Sequence, residues 1–398
     1  MKITQTFLII FMVAFMVNFV VGCSDQNDKS NDDSRKQKTS GDLEVADGED
    51  EEKEDEAIKK QMEEDKEKKT KEPVKARGLY LSGWTVGIPE KLEHFVDLAN
   101  STEINAYVVD IKDEDGKVGY STQIESVKDI DGWQWKYNVE NVVQTFKEND
   151  IYLIGRLVVN KDDVYASAHP DHAIRHVNGS IWRDDSGRAW IDPYAKEAWQ
   201  YNIDIAKEAL EKGFDEIQFD YIRFENDGPR SQMDFWRAGD VEKYEIIDDF
   251  LDFARKQMPD AIISADVFGI ICESSGDTEK IGQNLDTIGK NIHYISPMVY
   301  PSHYAWDQVI NEITFERPND EPYGVVYNTL VRARDRIAKI PDYKADVRPF
   351  LQDNYMGYKA EQVRAQIDAV YDAGYEEWLI WSANNVYSED AFKRINEE

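Results

Sequence analysis

From residue 74 onward, short apolar runs rich in β-branched and aromatic residues alternate with longer stretches in which apolar residues recur at helical spacing. This alternation is typical of βα units and predicts a parallel sheet. Eight strands are predicted, at Arg77–Leu81, Ala106–Ile111, Ile151–Val158, Glu216–Tyr221, Ala261–Val267, His293–Val299, Val347–Leu351 and Glu377–Trp381. Helices are predicted at Pro89–Ala99, Val139–Asn149, Ala195–Lys212, Val241–Gln257, Asp277–Lys290, Pro322–Lys339 and Lys359–Ala373, with Ser388–Asn396 as a candidate for the eighth.

Eight βα units within residues 76–398 predict an α/β fold, the (β/α)8 TIM barrel. The alternative is an open, doubly wound sheet. Such sheets carry a glycine-rich phosphate loop after their first strand, whereas this chain has Leu81-Ser82-Gly83-Trp84 there. We therefore expect the barrel.

The N-terminus has the pattern of an export signal. A basic start at Lys2 precedes an apolar stretch, Phe7–Val21, and Cys23 follows Gly22 directly. This boundary resembles the lipobox of bacterial lipoproteins, which implies a signal peptide over residues 1–22 and lipidation of Cys23. An uncleaved membrane anchor is the alternative, since the stretch approaches spanning length. Either interpretation predicts an extracytoplasmic protein held at the bacterial cell membrane, by a lipid anchor in the first case.

Residues 23–75 are dominated by charged and small polar residues and contain almost nothing to bury. Such a segment cannot offset its ordering entropy, so we expect a disordered linker.

The charge balance narrows the partners. With 79 acidic and 47 basic residues, the chain has a formal net charge of −32, which disfavours nucleic acids and anionic membrane surfaces and favours a neutral or cationic substrate. Cys272, the second of two cysteines, follows an apolar run and is expected to be an inert thiol. The histidines have no metal-ligand spacing, so we expect no metal and no cofactor. A monomer is expected.

Acidic residues stand at the ends of neighbouring predicted strands, where TIM-barrel active sites lie. Because side chains alternate along a strand, Gln218 and Asp220 share one face of the fourth predicted strand, and Ser264 and Asp266 share one face of the fifth. Asp220 and Asp266 are therefore predicted to converge, and Asp353 to join them across the mouth. Paired carboxylates are the arrangement that glycoside hydrolysis needs. The alternative for any single aspartate is a helix cap or a loop contact.

Other residues at the strand ends are candidates for binding sugars. Hydroxyl groups hydrogen-bond to charged side chains, and apolar sugar faces stack on aromatic rings. The polar candidates are Asp110, Lys112, Arg156 and Arg223, and the aromatic candidates are Trp84, Trp182, Trp190, Tyr300 and Trp381. Lys112 and Arg156 also fit structural counter-ions, and the tryptophans also fit a cover over the barrel top.

Five segments together resemble a bacterial glycoside hydrolase-like family of the large TIM-barrel glycosidase group. They are Gly78-Leu79-Tyr80, Val109-Asp110-Ile111-Lys112-Asp113, Phe219-Asp220-Tyr221-Ile222-Arg223-Phe224, Ala265-Asp266-Val267-Phe268-Gly269 and Ser296-Pro297-Met298-Val299-Tyr300-Pro301. By analogy with the α-amylase type, the resemblance implies Asp220 as nucleophile, Asp266 as acid/base and Asp353 as transition-state stabiliser. Asp266 departs from the glutamate of that type. The strand-six motif resembles chitinase-like barrels, whose strand-four glutamate motif is absent here.

The sequence hypothesis is a glycoside hydrolase acting on a cell-surface or extracellular polysaccharide. Two alternatives stay open. One is a non-catalytic glycan-binding surface lipoprotein. The other is a metal-dependent barrel enzyme that uses Asp110, Asp220 and Asp266 as ligands, because hard cations accept carboxylates from adjacent strands.

Overall fold

The computed structural model of the chain describes residues 74–226, 228–353 and 357–395. The predicted signal peptide, Cys23 and the linker lie outside these residues and stay predictions. Within the described ranges, no helix has the length and apolar character needed to cross a bilayer.

Eight parallel strands close into a barrel, which confirms the predicted (β/α)8 fold. β1 pairs with both β2 and β8, and the order continues through β3, β4, β5 and β6 to β7. The bounds are β1 Arg77–Leu81, β2 Ala106–Lys112, β3 Tyr152–Val158, β4 Glu216–Asp220, β5 Ile262–Phe268, β6 Tyr294–Met298, β7 Asp346–Val347 with Phe350–Gln352, and β8 Trp378–Trp381.

β7 is interrupted at Pro349. Proline lacks an N–H, so it cannot donate to the ladder. The first half of β7 pairs with β6, through Val347 and Ile295, and the second half pairs mainly with β8, through Phe350 and Leu379. The break therefore lies where the strand changes its main partner.

One labelled helix follows each of the first seven strands, and three further short helices of the described residues, Gly83–Val86, Glu125–Lys128 and Asp163–Ala168, lie in the loops after β1, β2 and β3. The labelled helices are α1 Pro89–Ser101, α2 Val139–Glu148, α3 Glu197–Lys212, α4 Lys243–Gln257, α5 Leu285–Ile288, α6 Pro322–Ile337 and α7 Ala360–Asp372. Ile217 and Phe219 of β4 belong to the apolar core between the strands and these helices.

Two helix predictions are wrong. The predicted helix Asp277–Lys290 is reduced to the single turn of α5, because the carboxylate of Asp277 accepts the backbone N–H groups of Ile281 and Gly282, both at 3.0 Å, and holds a loop. Gly282 has a φ of 80°, which breaks helical geometry. Asn284 then caps α5.

The candidate eighth helix, Ser388–Asn396, contains only a 3-10 turn at Glu389–Ala391 in its described part. The segment instead runs beside the end of α1. There the Glu103 N–H donates to the Lys393 carbonyl at 2.8 Å, and the Lys393 N–H donates back to the Glu103 carboxylate at 3.0 Å. Extended pairing takes the place of the helix.

The barrel interior carries polar layers as well as apolar ones. At the floor, Glu216 of β4 is fully buried and accepts hydrogen bonds from Arg348, Tyr152 and Ser264. One layer up, the Gln218 amide donates to the Ser296 hydroxyl at 3.1 Å. The predicted inward direction of Gln218 and Asp220 is confirmed.

Candidate active site

A cleft of about 570 Å³ opens at the carboxyl ends of the strands. Its walls come from strand ends and from the loops after β2, β4, β5 and β6. The residues that line it are Glu114, Arg156, Asp220, Tyr221, Arg223, Asp266, Phe268, Gly269, Ile270, Glu279, Gln283, Met298, Tyr300, His303, Tyr304, Ala305, Gln308, Phe350 and Trp381.

Asp220, the last residue of β4, faces this cleft and is almost buried. One of its carboxylate oxygens accepts from Nε of Arg156 at 2.8 Å, and the other accepts the backbone N–H of Tyr221 at 2.6 Å. A carboxylate with a charged and a backbone donor is fixed in orientation and has its negative charge balanced.

Arg156 of β3 is the centre of a carboxylate cluster. Besides Asp220, its guanidinium donates to Asp110 at 2.7 Å and to Glu114 at 2.5 Å. Although burial alone would lower it, the charges of Glu114, Asp220 and Asp110 hold the pKa of Arg156 well above its usual range. One fully charged guanidinium therefore orients three acids.

Asp266 of β5 is only 1% exposed, and neither of its carboxylate oxygens has a hydrogen-bond partner among the described residues. It follows Ala265, which pairs with Phe219, so Asp266 and Asp220 stand side by side on adjacent strands. Burial, and next the negative charge of Asp220, raise the pKa of Asp266 well above its ordinary value. Its surroundings therefore favour the protonated, neutral form of Asp266.

Three further predicted residues line the cleft: Arg223, Tyr300 and Trp381. The Arg223 guanidinium lies 4.9 Å from the ring centre of Phe268, with the rings of Trp190 and Tyr221 at similar distance. Trp381 stacks on Tyr80, with 3.8 Å between ring centres.

Three other charged predictions are placed outside the cleft lining. Asp110 lies behind Arg156 and accepts the Tyr80 hydroxyl at 2.6 Å. Lys112 is fully buried and pairs with Asp162 at 2.6 Å, which makes it a structural counter-ion. Asp353 does not meet the other two acids across the mouth, because its carboxylate accepts the backbone N–H and the hydroxyl of Ser388, at 2.6 and 2.9 Å, and faces the loop after β8.

Three predicted tryptophans also lie away from the cleft lining. Trp182 and Trp190 are 1% exposed and pack together with Ile174, so they cover the barrel top. Trp84 is exposed, but Lys136 lies 5.8 Å from its ring centre and the cleft is lined by other residues.

Several lining residues were not predicted as site residues, and two of them, Glu114 and Tyr221, lie next to the acids. Glu114 belongs to an Asp-Glu-Asp-Gly turn that reads as solvent-exposed in the sequence, yet its side chain is turned onto Arg156. Although burial alone would raise it, Arg156 lowers the pKa of Glu114, which is therefore ionised. Strand alternation puts Tyr221 on the helix side. Its φ of 52° ends the strand and turns the ring into the cleft instead.

The wall after β5 and β6 contains a close approach at Gly269. A Cβ there would lie 2.6 Å from the Met298 carbonyl oxygen and 2.7 Å from the Tyr304 hydroxyl. Gly269 directly follows β5 and lies three positions after Asp266.

The metal hypothesis does not fit this geometry. Arg156 lies between Asp110 and Asp220 and donates to both, so a guanidinium holds the position that a cation would need. Within the described ranges, no group of three or more His, Cys, Asp or Glu side chains is arranged to hold a metal ion.

A sequence model of the family described as "Putative glycosyl hydrolase domain" matches residues 78–387. The chain belongs to this family. The match spans β1 to the loop after β8, and so includes Arg156, Asp220 and Asp266. No curated protein matches the chain.

Solved structures with similar folds include the glycoside hydrolase domain of PgaB (BpsB) from Bordetella bronchiseptica. It is 15% identical with a TM-score of 0.57, over 81% of this chain and 99% of that domain. A hypothetical protein from Ruminiclostridium thermocellum is 58% identical over 48% of this chain and 99% of its own, with a TM-score of 0.46. The glycoside hydrolase domain of PelA from Pseudomonas aeruginosa is 12% identical over 80% and 97%, with a TM-score of 0.43.

Proposed function

We propose that this protein is a glycoside hydrolase acting on a polysaccharide, with Asp266 as the proton donor and Asp220 as the second carboxyl group. One observation carries the proposal: a buried aspartic acid without a hydrogen-bond partner among the described residues stands beside a carboxylate paired with arginine, at the base of an open cleft. Two carboxyl groups with opposite protonation are what glycosidic bond cleavage uses. The family membership supports the same chemistry.

In the proposed reaction, Asp266 gives its proton to the glycosidic oxygen as the bond from that oxygen to the anomeric carbon breaks. The Asp220 carboxylate either attacks the anomeric carbon or takes a proton from the water that attacks it. After direct attack, water cleaves the glycosyl ester and returns a proton to Asp266. Arg156 keeps the Asp220 carboxylate oriented throughout.

The cleft suits a sugar. Aromatic rings of Tyr221, Tyr300, Tyr304 and Trp381 offer apolar faces, while carboxylates and amides offer partners for hydroxyl groups. Glu114 and Glu279 add negative charge to the lining, which supports a neutral or cationic glycan over an acidic one.

A test is hydrolysis of a panel of neutral and cationic polysaccharides by the full chain and by Asp266→Asn. We expect reducing ends to be released by the wild type and the rate to fall by about 10²- to 10⁴-fold in the variant, the usual range for loss of a general acid. Asp129→Asn, which changes an exposed aspartate outside the cleft lining, is the matched control. Activity of Asp266→Asn equal to wild type would contradict the assignment.

The second candidate is a glycan-binding protein without catalysis. The 1% exposure of Asp266 favours it, because a substrate oxygen reaches this carboxyl only at the very base of the cleft. Glycan binding by the wild type without release of reducing ends, across the whole panel, would select this candidate.

We also propose that the protein is extracytoplasmic and lipid-anchored through Cys23, a proposal supported by the apolar N-terminal stretch that ends at this residue. Cys23→Ala should abolish metabolic labelling with palmitate. Unchanged labelling would contradict it.

A further inference from the structure

Trp306 is unusually exposed for a tryptophan. At 76% it is the most exposed large apolar side chain of the described residues. It follows Ala305 and precedes Gln308 by two positions, and both of these line the cleft. The ring therefore stands at the rim of the cleft, on the loop after β6.

A rigid element presents this ring. Gln308–Ile310 and Ile313–Phe315 form an antiparallel hairpin whose two turn residues, Asn311 and Glu312, have φ of 49° and 69°, as two-residue hairpin turns need. The Asp307 N–H donates to the Glu316 carbonyl at 3.1 Å and closes the base of the hairpin beside Trp306.

The hairpin is also anchored to the barrel. Ile310 and Phe315 are buried in the core between strands and helices. Gly324 of α6 leaves room for Phe315, since a Cβ there would lie 2.8 Å from that ring. The Asn311 N–H donates to Glu273, in the loop after β5, at 3.1 Å. The position of Trp306 is thus fixed by the fold.

We propose that Trp306 is an outer sugar-binding subsite, on which a polysaccharide stacks where it leaves the cleft. The inference rests on the proposed glycan-cleaving function and adds the requirement for an extended chain. A solvent-exposed aromatic ring that is already held in place can stack on the apolar face of a sugar. Such a ring offers a large contact area, and its side chain loses little entropy on binding. The guanidinium of Arg317 lies over the ring, 5.9 Å from its centre, and pairs with Asp320, so a charged group flanks the proposed subsite.

The occupant is a glycan because the ring is continuous with the cleft. A neutral or cationic polymer held over Asp220 and Asp266 has to pass the cleft rim, and Ala305 and Gln308 connect the lining with Trp306. If the ring served a protein contact instead, oligosaccharide affinity would not depend on it.

The test is calorimetric binding of cello-oligosaccharides and glucosamine oligosaccharides, each of two and six units, to full-length proteins. The Asp266→Asn background prevents turnover during the measurement. In the Asp266→Asn protein that keeps Trp306, we expect the six-unit glycan to bind more tightly than the two-unit glycan. Trp306→Ala should weaken binding of the six-unit glycan about tenfold, the effect of one aromatic stacking contact, and leave the two-unit glycan unchanged.

Two variants sharpen the test. Trp306→Phe keeps a stacking face and should retain most of the affinity for the six-unit glycan. Trp236→Ala removes another exposed tryptophan, 50% exposed and outside the cleft lining, and should change neither affinity.

The failures are distinguishable. Equal six-unit affinity in Trp306→Ala and in the protein that keeps Trp306 would overturn the subsite alone. Equal weakening for both lengths would also overturn it, because the effect would then come from distortion of the cleft. Absence of binding by every probe would count against the proposed function as well as the subsite.

Discussion

The floor and the mouth of the barrel interior each contain a buried arginine paired with an acidic residue, but the surroundings of the two pairs differ. At the floor, Arg348 meets Glu216, and both side chains are completely buried. At the mouth, Arg156 pairs with Asp220, which lies on the same strand as Glu216, four residues further along. Both oxygens of Glu216 accept hydrogen bonds, whereas both oxygens of the neighbouring mouth residue Asp266 lack a partner among the described residues.

The difference separates structure from chemistry. A buried polar group without a partner costs free energy, so a stable core normally avoids one. Glu216 at the floor has partners for its carboxylate, whereas Asp266 at the mouth, beside an open cleft, has none among the described residues. The unsatisfied acid therefore marks where a ligand is expected, although the charges of the two layers look alike in the sequence.

The largest expected effect is on activity at the mouth. Asp220→Asn should lower kcat by about 10³-fold or more, because it removes the charged partner of Asp266 and keeps the shape. The measurement is reducing-end release on the best polysaccharide of the panel, with the melting temperature as a check on folding.

Asp353→Asn is the matched comparison, since Asp353 is an acid at a strand end that faces Ser388 and not the cleft lining. Its activity should stay within a few fold of wild type. A larger loss for Asp353→Asn than for Asp220→Asn would reverse our assignment of the site.

The next effect is on stability at the floor. Glu216→Gln should lower the free energy of unfolding by about 3 kcal/mol, because it removes the hydrogen-bonded carboxylate of the buried Arg348 and leaves Glu377, at 4.0 Å, as its remaining charged contact. Urea unfolding measures the change. Glu216→Met combined with Arg348→Met removes both charges and should recover part of the loss; a double variant less stable than the single one would contradict this account.

The next expected effect is on how the stability of the protein depends on pH. Burial raises the pKa of Asp110 from 3.8 to about 7 despite its contact with Arg156. The folded protein thus binds this proton more tightly than the unfolded chain does, so the associated stability is present at low pH and is lost as pH rises toward 7. Between pH 5 and pH 8, wild type should lose about 3 kcal/mol relative to Asp110→Asn. Parallel pH profiles for the two proteins would contradict the shifted pKa.

The smallest effect concerns the acid that sequence reasoning missed. Glu114→Gln weakens one of the three carboxylate contacts of Arg156 and should reduce kcat/KM about tenfold, equivalent to one charge-assisted hydrogen bond. Asp115→Asn changes the next residue of the same turn, an exposed acid paired with Arg188, and should have no effect on kcat/KM. Equal effects of the two substitutions would remove Glu114 from the site.

The fold was predictable because each strand carries its own local pattern. In β4, the alternation of Glu216, Gln218 and Asp220 with apolar residues gives the inward face directly, and the structure confirms it. In contrast, the helix expected at Asp277–Lys290 depended on the helical spacing of apolar residues, which does not show that the carboxylate of Asp277 binds backbone N–H groups that a helix would need.

The site was predictable only where strand geometry fixes the side chain. Asp220 and Asp266 stand on strands and point as the alternation requires. Glu114 and Asp353 stand where strands have ended, so their directions depend on distant partners, Arg156 and Ser388, that periodicity does not identify. Tyr221 reverses its expected side through one left-handed residue, a local choice that no apolar pattern encodes.

The crowding at Gly269 has a consequence for engineering this scaffold. A methyl group added there would collide with the Met298 carbonyl, which the barrel holds, and with the Tyr304 hydroxyl, which is the part able to yield. The phenol would then be displaced and its contact with Thr329 lost. Attempts to reshape the cleft for bulkier or branched polymers should therefore keep Gly269 and vary the tips of the surrounding loops.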